Sequence, residues 1–284
     1  MKSSRFFAAA ALLATLALPG LTRAQGFEGT IETRAASLSE AALKYLLGPA
    51  GEGDEFDASG IFDVPIAQII EAAPELGEIE VDALIYHFKG TMMRVDGGLE
   101  GEMPGYAILD FGVGAFSLVN PAEQMVLEMT SEDFEQLKEM TAEEEPTEPR
   151  AKPEVRPLGR SKEIIGMRAE AFEIKSEDET TIAWVTKDLS DVVEVFLELE
   201  SRMKSMGMFE ENDEDTEVFL LLADHGFPVV EQTLTRYSWG EYAYEISAVT
   251  SVERTSLADD MFAIPEDYER HSILEMMRMF GGEN

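Results

Sequence analysis

Side chains that commonly perform chemistry are sparse in this chain of 284 residues. It has no Cys and three His, namely His87, His225 and His271. Without Cys there is no thiolate ligand and no thiol nucleophile, and three scattered imidazoles leave little for a zinc site. No G-x-S-x-G elbow, H-E-x-x-H pair or phosphate-binding glycine loop accompanies them. The sequence therefore predicts no catalytic residue, no metal site and no cofactor, and it favours a protein that is not an enzyme.

Carboxylates are too abundant to mark a site by themselves. The chain has 57 Asp and Glu against 22 Lys and Arg, a formal charge of −35. Nucleic acid is excluded as a partner, because phosphate binding needs clusters of Lys and Arg. Two interpretations of the acidity stay open: a solvated, self-repelling surface, as in a saline habitat, or attraction of Ca²⁺ or a cationic partner. The densest acidic cluster, 210–217, lacks the ligand spacing of a calcium loop and is interpreted as an exposed loop.

Methionine and aromatic residues indicate a different kind of site. Fifteen Met is a high count, and Met adapts to several apolar shapes because it is flexible and polarizable. The apolar spacing predicts an amphipathic helix over 191–206. One interpretation is a pocket for an acyl chain or another lipophile, lined by Trp184, Phe196, Met203 and Met206. The alternative for each of these residues is ordinary packing of a helix on a sheet.

The elements that must position these residues follow from periodicity. Alternating segments with turn residues between them predict an antiparallel meander over 79–129, since parallel neighbours need longer crossovers. A second run of strands is expected from Ile164 onward, and it includes 217–222. The S-L-S-E sequence that begins at Ser37 has capping-box spacing and predicts a helix. Together these patterns predict an α+β fold, a curved antiparallel sheet of about ten strands with a few helices on its concave face.

One stretch is predicted to lie outside the sheet. Residues 143–160 contain three consecutive acids and four prolines, a composition typical of an exposed connector. We therefore expect a connector at about 143–160 between the two runs of strands.

The first 24 residues are interpreted as a cleaved signal peptide. A positive start with Lys2 and Arg5 precedes an apolar run at 6–18, which is too short to span a bilayer. Small residues at the −3 and −1 positions predict cleavage after Ala24. The mature chain would then carry 57 acids against 19 bases, a charge of −38. We expect residues 25–284 to form a single domain that is periplasmic or secreted, monomeric and without a membrane span or lipid anchor.

The order of several short segments resembles a known family. The segments are 27–31 (FEGTI), 89–96 (KGTMMRVD), 108–110 (ILD), 120–124 (NPAEQ), 164–166 (IIG), 171–174 (AFEI), 183–189 (AWVTKDL) and 260–265 (DMFAIP). In this order they resemble the secreted bacterial family called domain of unknown function 4412, whose members are similar to the periplasmic lipoprotein carriers LolA and LolB. The resemblance implies a half-open β-barrel, helices that cover its mouth and an apolar cavity between them. It implies no activity.

The chain departs from this family at two places. Residues at about 35–77 are interpreted as an insertion after the first strand. Where many relatives have a Cys, this chain has Met167-Arg168-Ala169, so the resemblance implies no thiol chemistry.

Two functions are left open by the sequence, and a hydrolase would be considered only if His and carboxylate groups converged in a cleft. The first is a secreted, non-enzymatic protein that binds a lipophile, an acyl chain or a lipidated protein in an apolar cavity. The second is a structural or interaction protein of the cell envelope, with a filled core and an acidic surface. An apolar cavity above roughly 300 Å³ would favour the first.

Overall fold

A computed structural model describes residues 26–48, 56–69, 79–97, 105–130, 132–133, 136, 153–176, 178–205 and 214–274. The strands are β1 (Gly29–Leu38), β2 (Ile79–Lys89), β3 (Met92–Gly97), β4 (Tyr106–Asp110), β5 (Ala115–Asn120), β6 (Met125–Thr130), β7 (Glu154–Ile164), β8 (Met167–Lys175), β9 (Glu179–Thr186), β10 (Phe227–Arg236), β11 (Tyr242–Arg254) and β12 (Glu269–Ser272). The helices are α1 (Glu40–Leu47), α2 (Ser190–Ser205) and α3 (Glu214–Ala223), and two 3₁₀ turns occupy Ser59–Asp63 and Asp259–Phe262.

All twelve strands form one open sheet. Their order across the sheet is β12-β6-β5-β4-β3-β2-β1-β11-β10-β9-β8-β7. Every neighbouring pair is antiparallel except β12 and β6, which are parallel. The expected large, mostly antiparallel sheet with few helices is therefore confirmed. The strand number is higher than the ten predicted from periodicity.

The position of the first helix was predicted correctly, but its N-cap residue was not. The N-cap of α1 is Ser39, whose hydroxyl accepts from the amide of Ala42 at 3.4 Å, and not Ser37. Ser37 instead lies in β1, which continues to Leu38, so 35–38 of the expected insertion belong to a strand. Gly48 ends the helix at a φ of 85°.

The predicted connector at 143–160 is wrong for its second part, because 154–160 lie in β7. Pro157 misled the sequence analysis, but proline is tolerated where one side of a strand makes no ladder bonds. β7 pairs only with β8, and the pairing shifts register between Pro157 and Ser161 around Gly159, whose φ is 65°. Residues 143–152 lie outside the described part of the chain.

The predicted strand at 217–222 is also wrong, because these residues belong to α3. Residues 214–217 of the predicted acidic loop belong to the same helix. A short apolar run fits a buried strand and a helical segment equally well by periodicity. The helical state is favoured by the helix-forming Leu and Ala residues. It is also favoured by the acids in the first turn, where they interact well with the helix dipole.

The buried apolar residues form three clusters. Cluster 1 joins residues just before and within α2 to ten strands. Its members are Phe27, Ile31, Tyr86, Phe88, Met93, Val95, Ala107, Leu109, Phe111, Leu118, Leu127, Ala169, Ala171, Ile182, Trp184, Leu189, Val192, Val193, Phe196, Leu199, Phe227, Val229, Val230 and Val249. Cluster 2 packs α1 and the turn Ser59–Asp63 on β1, β10 and β11, and its largest fully buried side chain is Tyr244. Cluster 3 packs Leu222 of α3 on β8 and β9.

Several predicted features lie outside the described residues. These are the signal peptide at 1–24, the acidic residues 210–213 and the Met-rich tail beyond Leu274.

Candidate functional site

Helix α2 rests on cluster 1 through aromatic rings. The Phe196 ring lies 5.4 Å from Phe88 of β2 and 5.6 Å from Phe227 of β10, measured between centroids. Phe219 of α3 approaches it at 6.0 Å. One side chain of α2 therefore contacts rings from two strands and from another helix.

The same helix also buries a carboxylate. Glu200 has no solvent-accessible surface. Removing a carboxylate from water costs several kcal/mol before its interactions are counted.

Trp184 also belongs to cluster 1 and lies on β9. It pairs with Ala171 on one side and with Val230 on the other, and it is buried. Two cations stand over its ring: the Lys162 ammonium lies 3.9 Å from the centroid and the Arg160 guanidinium 5.8 Å.

The small residues of β8 explain how Lys162 reaches a ring two strands away. Lys162 pairs with Ala169, and Trp184 pairs with Ala171 on the same strand. Neither methyl group blocks the space between β7 and β9. The lysine stem can therefore cross β8 while its ammonium lies on the indole, a favourable cation–π arrangement.

The edge formed by β7 and β8 has a charge unlike the rest of the chain. Residues 153–175 contain five Lys and Arg against four Asp and Glu, whereas the whole chain has a charge of −35. Partial burial, followed by repulsion from Arg160, lowers the pKa of Lys162. Both causes reflect a positive group that is only partly hydrated and close to another positive group.

Apolar side chains surround these cations. Leu158, Ile164 and Met167 are partly buried against cluster 1. Ile165, in the turn between β7 and β8, is 42% exposed and adopts a φ of 44°, which is unfavourable for a β-branched residue.

A polar ladder crosses β1, β2 and β3. Thr30 Oγ1 lies 3.0 Å from His87 Nδ1, and His87 Nε2 lies 2.9 Å from an Asp96 oxygen. Arg94 donates to both oxygens of Asp96 at 2.7–3.1 Å. Thr30, His87 and Arg94 are register partners, so they share one face, while Ile31 faces the other way into cluster 1.

This ladder binds a strap, defined here as residues 255–264. Arg94 Nη1 donates to the carbonyl of Met261 at 2.8 Å, and the Leu257 amide donates to Glu28 at 2.9 Å. Lys89 contacts the Leu257 carbonyl and the Asp259 carboxylate. The backbone and side-chain bonds to Glu28 lower the pKa of this carboxyl. Arg94 of the ladder, together with Glu28 and Lys89, therefore holds the chain as it passes from β11 toward β12.

The other two histidines lie apart from this ladder. The His225 ring contacts Phe172 at 4.5 Å, and His271 Nε2 lies 3.3 Å from Glu269. Within the described residues, no three His, Asp or Glu side chains form a group that could hold a metal ion. No helix in that part of the chain is long and apolar enough to cross a membrane.

The structure places two of the four predicted lining residues in one cluster, since Trp184 and Phe196 both belong to cluster 1. Met203 belongs to α2, and Met206 lies outside the described residues. Their assignment as pocket lining stays a prediction. Sequence reasoning missed Lys162 and Arg160, although the basic residues around β7 in an otherwise acidic chain were the available signal.

The class of protein that this architecture defines is an open, mostly antiparallel sheet with helices packed on it. The chain belongs to the family described as "Domain of unknown function (DUF4412)", whose profile matches residues 86–268, more than half of the chain. The resemblance seen in the sequence is thereby confirmed. The segment 27–31 lies before the matched range.

Searches of known proteins return distant similarities. Two structures of PNGF-II, in space groups C2 and P2₁, match 89% and 88% of this chain at 11% identity, with TM-scores of 0.35 and 0.32. This chain spans 33% of each PNGF-II chain. The LolA superfamily protein NE2245 from Nitrosomonas europaea matches 85% of this chain and 92% of its own at 9% identity, with a TM-score of 0.28. No curated protein sequence matches. No property of these proteins is taken over from such distant similarities.

Proposed function

We propose that this protein binds a lipophilic molecule or an acyl chain between α2 and the sheet and catalyses no reaction. The sheet would form a half-open barrel, and the helices would act as lids on its concave face. The chain would work as a monomer in the periplasm or outside the cell, and its cargo would be a free lipophile or a lipidated protein.

The observation that carries this proposal is the composition of cluster 1. Its centre is closed and contains Trp184 and Phe196, and fifteen further hydrophobic residues are only partly buried around it. Apolar surface that is left partly accessible around a core is typical of sites that bind apolar partners. A ligand could enter this margin without disrupting the whole fold.

The energetics allow α2 to move. Burial of each CH₂ contributes about 0.8 kcal/mol, so a chain of twelve carbons gains roughly 10 kcal/mol before entropy costs. Displacing α2 would expose Phe196 and Leu199, which are buried in the closed state. The ligand would replace the apolar contacts that the helix gives up.

The ladder of Thr30, His87 and Asp96 does not lead us to propose a hydrolase. The connectivity of hydroxyl, imidazole and carboxylate is suggestive. However, β1 pairs with β2 on one side and β11 on the other, so the peptide N–H groups beside Thr30 are engaged in ladders. They are not available to stabilise an oxyanion. The bonds from Arg94 to Asp96 and to the strap instead favour a structural role.

A second candidate is an envelope interaction protein with a filled core. The closed centre of cluster 1 favours it, because side chains such as Met93 and Val192 have no exposed surface at all. The acidic exterior would then contact cationic partners.

Native mass spectrometry of protein purified from an envelope fraction, with organic extraction, distinguishes the two. We expect a bound lipophile, and N-phenyl-1-naphthylamine fluorescence that rises with protein and falls at least fivefold with Phe196→Ser. Val113→Ser is the matched control, since Val113 is 73% exposed in a turn. Circular dichroism verifies that each variant is folded. A clean apo mass together with no dye uptake by the folded wild type would favour the filled-core protein.

A further inference from the structure

Lys162 has an unusual electrostatic setting for an acidic protein. Within the part of the chain that the structure describes, its ammonium is in no ion pair, and the ring of Trp184 is its close contact. Arg160 reaches Asp63 only at 4.0 Å, and Asp63 is 85% exposed. Arg156, on the same strand β7, is paired with Glu173 at 2.5 Å. Two neighbouring cations therefore remain available to an anion.

The apolar surroundings of these cations favour a ligand that has an apolar part as well as a negative charge. Trp184 beneath Lys162 belongs to cluster 1, and Leu158, Ile164 and Met167 are partly buried at the margin of that cluster. A small inorganic anion would leave this apolar surface in water. A molecule with a negative head and an apolar tail would satisfy the cations and cover the apolar surface at once.

We infer that the ligand is an anionic amphiphile, whose head is held by Lys162 and Arg160 and whose chain lies along Trp184 toward cluster 1. This inference rests on the proposed function and adds the class of ligand. The head group takes a carboxylate or phosphate form, both of which accept hydrogen bonds from an ammonium and a guanidinium. Residues 153–175 carry five Lys and Arg against four Asp and Glu, so the net charge of this edge does not repel such a molecule.

The two tryptophans of the chain provide the reporter. Replacing Trp239 by Phe leaves Trp184 as the single indole of the protein. In this variant, the full chain is titrated with dodecanoate, with 1-dodecanol and with acetate, each below any micelle concentration. We expect the dissociation constant for dodecanoate, taken from the change in Trp184 emission, to be at least tenfold lower than that for dodecanol. Acetate should leave the emission unchanged.

Charge variants then test the head group. Lys162→Gln should weaken dodecanoate binding about tenfold and leave dodecanol binding within twofold. Lys175→Gln is the matched control, because it removes the same charge from the same sheet edge at a lysine that contacts Glu173 and not an aromatic ring. It should leave dodecanoate binding within twofold.

The outcomes separate this inference from the proposed function. Equal affinity for dodecanoate and dodecanol, or no effect of Lys162→Gln on dodecanoate, would overturn the anionic head while lipophile binding stands. Binding of acetate as tightly as dodecanoate would show a simple anion site and would also overturn the inference. If neither amphiphile binds the folded chain, the proposed function itself fails.

Discussion

Two hairpins of the sheet expose apolar side chains at their turns, and they do so in opposite ways. At the turn between β10 and β11, the rings of Tyr237 and Trp239 are 41% and 64% exposed but stack on each other at 4.5 Å. The Trp239 indole donates to Glu241 at 2.9 Å, and Gly240 takes the positive φ of 92°. At the turn between β7 and β8, Ile165 itself takes a positive φ and exposes its side chain.

The proposed site predicts that the second of these hairpins, and not the first, is arranged for a partner. The rings of the first turn satisfy each other, and a glycine removes the backbone strain. The second turn keeps local strain, of order 1–3 kcal/mol for such a residue, and lies beside cations with an apolar margin. Strain that folding alone does not require is more often found at binding sites than in simple turns. The predictions below test this contrast.

The largest difference in stability should appear between variants of the two tryptophans. Trp184→Ala removes a buried ring from cluster 1 and should destabilise the fold by about 3–5 kcal/mol. Trp239→Ala loses an exposed stack and one hydrogen bond, so we expect about 1 kcal/mol. Chemical denaturation of both variants measures the difference. Equal losses would mean that the exposed stack contributes to the core, which would remove the contrast.

Stability at alkaline pH tests the burial of one tyrosine in cluster 1 and one in cluster 2. Burial raises the pKa of Tyr86 in cluster 1 and of Tyr244 in cluster 2 to about 12. Between about pH 10 and 12 the unfolded chain loses phenolic protons that the folded chain retains, so stability falls as the pH rises. Each tyrosine should account for about 3 kcal/mol.

Denaturation at pH 8, 10, 11 and 12 checks this expectation. Tyr86→Phe should flatten the alkaline loss, and it removes the side-chain hydrogen bond with Thr33, which should lower stability slightly at pH 8. Tyr244→Phe also removes the hydrogen bond from Gln232 at 2.8 Å, so it should lower stability at pH 8 as well. Stability that stays constant to pH 12 in the wild type would contradict the assignment.

The turn at Ile165 should respond to relief of its strain. Asn tolerates a positive φ, and Asn-Gly is favoured in two-residue hairpin turns. Ile165→Asn should therefore stabilise the protein by about 1 kcal/mol, seen as a higher melting temperature. Val113→Asn, at an exposed turn residue without positive φ, should give no gain. A loss with Ile165→Asn would indicate that the isoleucine side chain stabilises the hairpin.

The smallest effect should come from the cation on Trp184. Lys162→Gln should cost about 0.5–1 kcal/mol of stability in the absence of ligand, the range of an exposed cation–π pair. Lys175→Gln should change stability by less, since it breaks only an exposed ion pair with Glu173. Salt titrations of both variants would detect whether general charge repulsion, rather than the ring contact, explains any difference.

Much of the sheet could be predicted from local patterns. The strands from β2 to β6 alternate clearly, and Gly or Asn-Pro turns separate them. Helix α2 has apolar residues at helical spacing, and the structure confirms it within one residue at each end. Of the proposed site, only Trp184 and Phe196 were predicted and placed together.

The errors share one physical cause, because each concerned a segment whose state depends on distant residues. β7 contains a proline and a bulge, so it becomes a strand only because β8 pairs with it along one side. α3 carries an apolar run that fits either element until Leu222 packs into cluster 3. β12 has four residues and forms only against β6, more than 140 positions earlier in the chain.

The amino-acid sequence alone determined the charge of the chain, the period of its longer elements and the family to which it belongs, because these are properties of composition and of neighbouring residues. Only the tertiary structure decided that Lys162 lies over Trp184, 22 positions away. That contact depends on the register of three strands and on two alanines between them. Register is set by long-range pairing, and a shift of one residue would turn the lysine to the opposite face of the sheet.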